Sequence, residues 1–137
     1  MSEQELARLL QSTWPDAARD IEQVRGTDNG RDFVGTSPFC IQSKRRAKVV
    51  PFDIRTGLNE AAMSTDSEYP FPVVAWRSDR EPWRVTMRLS TMIGFTVMTE
   101  GRERLPWDSL ENPLITMELT DWLEFVDWRL ARQRTAA

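Results

Sequence analysis

Midway along the chain, Pro72-Val73-Val74-Ala75-Trp76 forms a short unbroken apolar run. Such a run reads as a strand covered on both faces, and a strand of that kind belongs in the middle of a sheet. The polar stretch Ser78 to Pro82 follows. Trp83 to Leu89 then alternates, with Trp83, Val85, Met87 and Leu89 on one side and Arg84, Thr86 and Arg88 on the other. A hairpin with the central strand is expected there.

The flanking segments supply helices. Ser2 followed by Glu5 is a capping-box pattern, and Leu6, Leu9 and Leu10 recur at helical spacing, so a first helix is expected over about residues 3–12. A short strand near Glu22 to Gly26 leads into Thr27-Asp28-Asn29-Gly30, where Asn-Gly tolerates the positive φ of a tight reversal, so a hairpin is expected. In the run Phe39 to Arg45, Phe39, Ile41 and Ser43 share one strand face and Cys40, Gln42 and Lys44 the other. Pro51 to about Ser64 reads as a helix with Phe52, Leu58, Ala61, Ala62 and Met63 as packing residues, weakened by Gly57. Ile93 to Met98 reads as a further strand or strand extension, and Glu100 to Asn112 as a charged loop. Thr120 to Leu130 reads as a closing helix capped by Thr120. Thr86-Met87-Arg88-Leu89 and Thr116-Met117-Glu118-Leu119 are similar, but four residues recur too easily to indicate a duplication. The order implies an α/β fold around a small mixed central sheet flanked by helices.

Composition narrows the chemistry. With no histidine and one cysteine, Cys40, the chain offers no His-assisted nucleophile, no His-based metal site and no internal disulfide. Its 137 residues fit one domain, and the absence of a long apolar run or a basic apolar leader leads to the expectation of a cytoplasmic protein with no membrane partner. The net charge of −3 hides a contrast: Arg25 to Lys48 carries +4 and the remainder −7. Positive charge is thus gathered where a polyanion can be met locally.

That basic segment also holds the residues suited to catalysis. Asp32 follows the expected turn, and Gln42 and Lys44 present an amide oxygen and an ammonium on one face of the next strand. A carboxylate can hold Mg²⁺, an amide oxygen can complete part of its shell, and a lysine can orient an attacking water while countering phosphorane charge. Arg25, Arg31, Arg45, Arg46 and Lys48 would grip phosphates without reading sequence.

The ordered set Asp-Phe-Val-Gly at 32 to 35, Ile-Gln-Ser-Lys-Arg at 41 to 45, Val-Val-Ala-Trp-Arg at 73 to 77 and Trp-Arg-Val-Thr-Met-Arg-Leu at 83 to 89 resembles the small phage-type Holliday-junction resolvase-like proteins of the PD-(D/E)XK nuclease superfamily. Thr-Met-Glu-Leu-Thr-Asp-Trp-Leu at 116 to 123 also resembles that family's ending. The resemblance implies a restriction-endonuclease-like fold over residues 1–137, with an insertion at about 93–112. It implies a Mg²⁺-dependent DNA endonuclease, with Mn²⁺ as an alternative metal, that acts on branched DNA as a homodimer. Asp32 would be the metal-binding acid, Lys44 the catalytic lysine and Glu5 an auxiliary ligand. Gln42 stands where the family usually has Glu, as in the similar Gln-x-Lys arrangement of Mrr-like nucleases.

Plainer readings exist for each residue. Asp32 reads equally as a turn-side residue, Glu5 as the partner of Ser2 in the capping box, Glu60 as a surface acid, and Lys44 to Lys48 as a solvated strand end. Trp76, Trp83, Trp122 and Trp128 fall on apolar faces and read as core packing, as does Cys40. Two rival functions follow: a catalytically inactive DNA-binding or protein-interaction module of the same fold, and a small phage-encoded inhibitor of a host enzyme.

Overall fold

The computed structural model describes residues 2–20, 32–97 and 113–136. In chain order the elements are α1 (Ser2–Leu10), β1 (Ala18–Arg19), β2 (Phe33–Val34), β3 (Phe39–Arg46), α2 (Pro51–Met63), β4 (Phe71–Ser78), β5 (Arg84–Arg88), α3 (Leu89–Val97), β6 (Leu114–Glu118) and α4 (Leu119–Ala136). Strands β3 to β6 form a four-stranded sheet in the order β3-β4-β5-β6. The β3–β4 pair is parallel, and α2 is the crossover that such a connection requires; the other two pairings are antiparallel. The chain is therefore a mixed α/β fold with helices flanking a mixed sheet.

Period-two alternation sets the two faces. Phe39, Ile41, Val73, Ala75, Val85 and Met87 point into the main core, where they meet Leu6 and Leu10 of α1, Phe95 of α3, and Trp122 and Val126 of α4. Phe39 is central: its ring lies 4.8 Å from that of Phe95 and 5.0 Å from that of Trp122, centroid to centroid, at tilted and edge-on angles that aromatic quadrupoles favour. The opposite face carries Cys40, Gln42, Lys44, Val74 and Trp76 and receives α2. The Cys40 thiol donates to the Ala61 carbonyl at 3.4 Å. Proline at the first helical position and the Asp53 carboxylate accepting from the Val50 N–H at 3.0 Å start α2.

Beside the sheet, β1 and β2 pair antiparallel, Ala18 opposite Val34 and Arg19 opposite Phe33. Gly35 makes this possible. Its φ is +79°, and a Cβ there would sit 2.5 Å from the Asp16 carbonyl oxygen, so only glycine lets the chain pass this close. Its N–H donates to the Tyr69 hydroxyl at 3.0 Å.

Several expectations are revised. Ile93–Val97, read as strand, belongs to helix α3, because Thr91 and Phe95 are buried four residues apart and the Thr96 hydroxyl donates to the Met92 carbonyl at 2.8 Å. The segment from 93 therefore begins within a core helix. Phe52 and Met63, expected to pack, are 74% and 87% exposed; α2 buries Gly57, Leu58 and Ala61 instead. Trp128 is exposed, stacked on Phe125 with the Arg132 guanidinium over its ring, whereas Trp83 and Trp122 are core residues as expected. The closing helix begins at Leu119, whose N–H donates to the Trp83 carbonyl at 2.9 Å, so Thr120 lies inside the helix rather than capping it. Strand 22–26, its turn and the whole charged loop at 100–112 lie outside the described residues.

The two Thr-Met strings turn out to be adjacent strand ends. Thr86 lies opposite Thr116 with their hydroxyls 2.7 Å apart, Met87 and Met117 face the core, and each terminal leucine opens a helix.

Candidate functional site

The site is built around the edge of β3. The Asp32 N–H donates to the Ile41 carbonyl at 3.1 Å and its carbonyl accepts from the Asp20 N–H at 2.9 Å, which fastens this residue between β3 and the end of β1. One carboxylate oxygen, Oδ2, accepts from the Ser43 N–H at 2.8 Å and from the Ser43 hydroxyl at 3.0 Å. Asp32 is only 8% exposed. Burial pushes its carboxyl up to about 6, and the nearby Glu3 and Glu60 carboxylates push the same way, against the pull of the Ser43 hydrogen bonds.

Glu3 reaches this acid from α1. Its Oε2 lies 3.3 Å from the Ser43 hydroxyl, whose single proton goes to the nearer Asp32, and its Oε1 pairs with Arg19 at 3.0 Å. Glu5, the expected auxiliary ligand, is engaged elsewhere: its Oε1 accepts from Arg77 at 2.6 Å and from the Trp83 indole at 3.0 Å. The Trp83 hydrogen bond and the Arg77 charge hold its carboxyl below the usual range, outweighing a slight desolvation. The sequence carried a signal for Glu3. It shares the helical stripe of the buried Leu6 and Leu10, whereas Glu5 shares that of Leu9, which is 41% exposed.

Gln42 and Lys44 point together toward α2, as the alternation of β3 requires. Gln42 is 5% exposed and its Oε1 has no hydrogen-bond partner. An amide oxygen stranded this way costs about 1–3 kcal/mol unless something fills its lone pairs. Lys44 runs past Gly57 of α2, where an added Cβ would meet its Cγ at 3.1 Å and Val74 Cγ2 at 2.7 Å. Gly57, which weakens the helix in isolation, is thus the gap through which the lysine stem passes. The ammonium ends 2.7 Å from Glu60 Oε1, an ionic contact without a well-aligned hydrogen bond.

Two sets of polar contacts therefore meet the edge of β3, Glu3–Ser43–Asp32 and Lys44–Glu60, and the Glu60 charge is felt at the Asp32 carboxyl. Ser43 and Glu3 have no site role in the sequence pattern, and Glu60 stands there as a surface acid. Ser43 lay in view between Gln42 and Lys44, and Glu60 one helical turn beyond Gly57. Among the described residues, no three acid, cysteine or histidine side chains are gathered closely enough to cage a metal by themselves. Of the expected phosphate-gripping residues, Arg46 and Lys48 are exposed, and Arg45 is exposed and 3.5 Å from Asp79; Arg25 and Arg31 lie outside the described residues.

The molecule is thus a mixed α/β domain with a buried acid, an amide and a lysine gathered along the edge of its sheet. Compared with protein-family models, curated proteins and solved structures, the chain matches none of them. No described helix is long and apolar enough to cross a membrane.

Proposed function

We propose that this chain is a divalent-metal-dependent phosphodiesterase acting on DNA, with a restriction-endonuclease-like core. The observation that carries this reading is the buried Asp32 carboxyl, pushed up to about 6 and docked through Ser43 on the strand that holds the stranded Gln42 oxygen and Lys44. Burial and two like charges oppose the ionisation of this acid beyond what its two Ser43 hydrogen bonds offset, and a cation would relieve both. The order of α1, three strands, α2 and a strand parallel to the third supports the same core.

The donor set fits Mg²⁺ or Mn²⁺. Asp32 and Glu60 would supply two carboxylates and Gln42 an oxygen with open lone pairs; Mg²⁺ typically takes one or two carboxylates and keeps water and phosphate oxygens elsewhere. Glu60 thereby provides the charge that Gln42 lacks. A bound ion supplies Lewis acidity and a more acidic water. The chain's own residues do the rest. Ser43 fixes the Asp32 carboxylate, Gly57 lets the Lys44 stem approach, and Lys44, released from Glu60, would orient the attacking water and face the charge on phosphorus. Arg46 and Lys48 would hold the backbone, and the Holliday-junction preference and homodimer rest on the sequence resemblance, since a four-way junction needs two symmetric cuts.

The inactive-module reading has one observation in its favour: Glu60 neutralises Lys44, and no three-acid cage is present among the described residues. Incubation of branched, linear and single-stranded DNA with Mg²⁺ or Mn²⁺ separates the readings. Cleavage lost in Asp32→Ala and Lys44→Ala supports the nuclease. Salt-dependent binding that survives both substitutions without cleavage supports a DNA-binding module, and absence of DNA binding refutes both the nuclease and that module.

A further inference from the structure

A cavity of about 510 Å³ opens on the α2 side of the sheet, between the C-terminal end of α2, the start of β4 and the first turn of α3. It is apart from the acids around Asp32. Pro70 and Pro72 form part of its wall, and its polar groups come from Arg88, Ser90, Thr91 and Thr65. Arg88 has no carboxylate partner among the described residues; it donates at 3.2 Å to the neutral Asn59 side chain. Thr91 is 6% exposed, lines the cavity, and its hydroxyl makes no hydrogen bond to the described residues. The first turn of α3 contains no acid. The Leu89 N–H is occupied by the Pro113 carbonyl at 2.9 Å, but the N–H groups that follow have no acceptor within the helix.

Among the described residues, a guanidinium without a carboxylate partner, the hydroxyl of a buried threonine that lines the cavity and a helix N-terminus free of acids share one preference. Each favours an oxyanion, and together they surround one concave space. Among the described lining residues a cation would face Arg88 with no acid to bind, and an apolar ligand would strand the Thr91 hydroxyl. We propose that this cavity is a phosphate-binding site, in which Arg88 and the Thr91 hydroxyl hold the phosphate oxygens against the start of α3. The volume exceeds that of one phosphate and leaves room for the nucleoside or sugar that carries it. This site is independent of the metal chemistry assigned to Asp32, Gln42 and Lys44.

Titration of the full chain with inorganic phosphate, followed by amide chemical shifts at constant ionic strength balanced with chloride, tests the assignment. The expected result is saturable shifts at Ser90 and Thr91, about tenfold weaker in Arg88→Gln and weaker in the near-isosteric Thr91→Val. Both variants are first checked for an unchanged fold by circular dichroism without phosphate. Asp32→Asn should bind phosphate like the wild-type chain, which separates this site from the nuclease reading. Competition by a short DNA strand assigns the phosphate to a polynucleotide; competition by a nucleoside monophosphate alone assigns it to a free ligand. Absence of saturable binding, or undiminished binding in both folded variants, overturns the proposal.

Discussion

The Asp32 carboxylate is docked on Ser43 through one oxygen, which accepts from the Ser43 backbone N–H at 2.8 Å and from its hydroxyl at 3.0 Å. Because Ser43 lies between Gln42 and Lys44, this pair of bonds brings an acid remote in sequence to the strand segment that presents the amide and the ammonium. The other oxygen, Oδ1, is not engaged by Ser43.

Asp32 makes the metal-free protein less stable at neutral pH. Its folded-state carboxyl titrates at about 6 against an ordinary 3.8, so between those values the native state binds more protons than the unfolded state. The stabilisation from this group is complete below the unfolded value and is lost as pH rises through the folded one, by about 3 kcal/mol at most. Urea unfolding in EDTA should therefore show Asp32→Asn more stable than wild type at pH 7, by about 1–3 kcal/mol, and with a flatter profile between pH 4 and 6. Equal profiles for the two proteins would contradict the burial argument.

Glu60 and Glu3 are separable from Glu5. Glu60→Gln is expected to cut Mg²⁺-dependent cleavage at least about a hundredfold while changing stability by no more than about 1 kcal/mol, because the acid is partly exposed. Glu3→Gln should lower cleavage modestly. Glu5→Gln should leave it within about twofold, since Glu5 is held by Arg77 and Trp83. Initial rates on one DNA substrate decide the order.

Gln42→Glu gives opposite results with and without metal. In EDTA it adds a third buried or half-buried carboxylate near Asp32 and lowers stability by about 1–3 kcal/mol. With Mg²⁺ the added charge should tighten metal activation, seen as a lower Mg²⁺ concentration for half-maximal cleavage.

At Gly57, propensity and packing oppose each other. Alanine gains about 1 kcal/mol in a helix interior. Its Cβ would lie 2.7 Å from Val74 Cγ2 and 3.1 Å from Lys44 Cγ, and relieving this should cost about 1–3 kcal/mol and displace the lysine stem. Gly57→Ala is expected to lose cleavage out of proportion to its stability, measured by rates alongside urea midpoints.

Arg46 and Lys48 should act through phosphate alone. Replacing either by alanine is expected to weaken DNA binding evenly across sequences and to reduce the slope of log affinity against log salt by about 1, read from titrations at several salt concentrations.

The central strand, its hairpin partner and the shared face of Gln42 and Lys44 were legible because strand alternation is local and strict. The first helix was legible, but its inward acid was not, because Glu3 and Glu5 differ only in helical phase against a core still unknown. The run at 93–97 was misread for a related reason: Ile93, Phe95 and Val97 alternate like a strand, and only burial of Thr91 and Phe95 against the sheet selects the helix. Strand β6 is not legible in its Thr-Met string, since its partner is another strand thirty residues away.

Local covalent preferences thus determined which segments extend or coil, which side chains share a face, and which catalytic chemistries the absence of histidine removes. Long-range packing alone decided that Ser43 receives Asp32, that Gly57 admits Lys44, and that Glu60 instead of Glu5 stands beside the lysine. Those contacts depend on distances between elements set by the whole core, and no window along the chain contains that information.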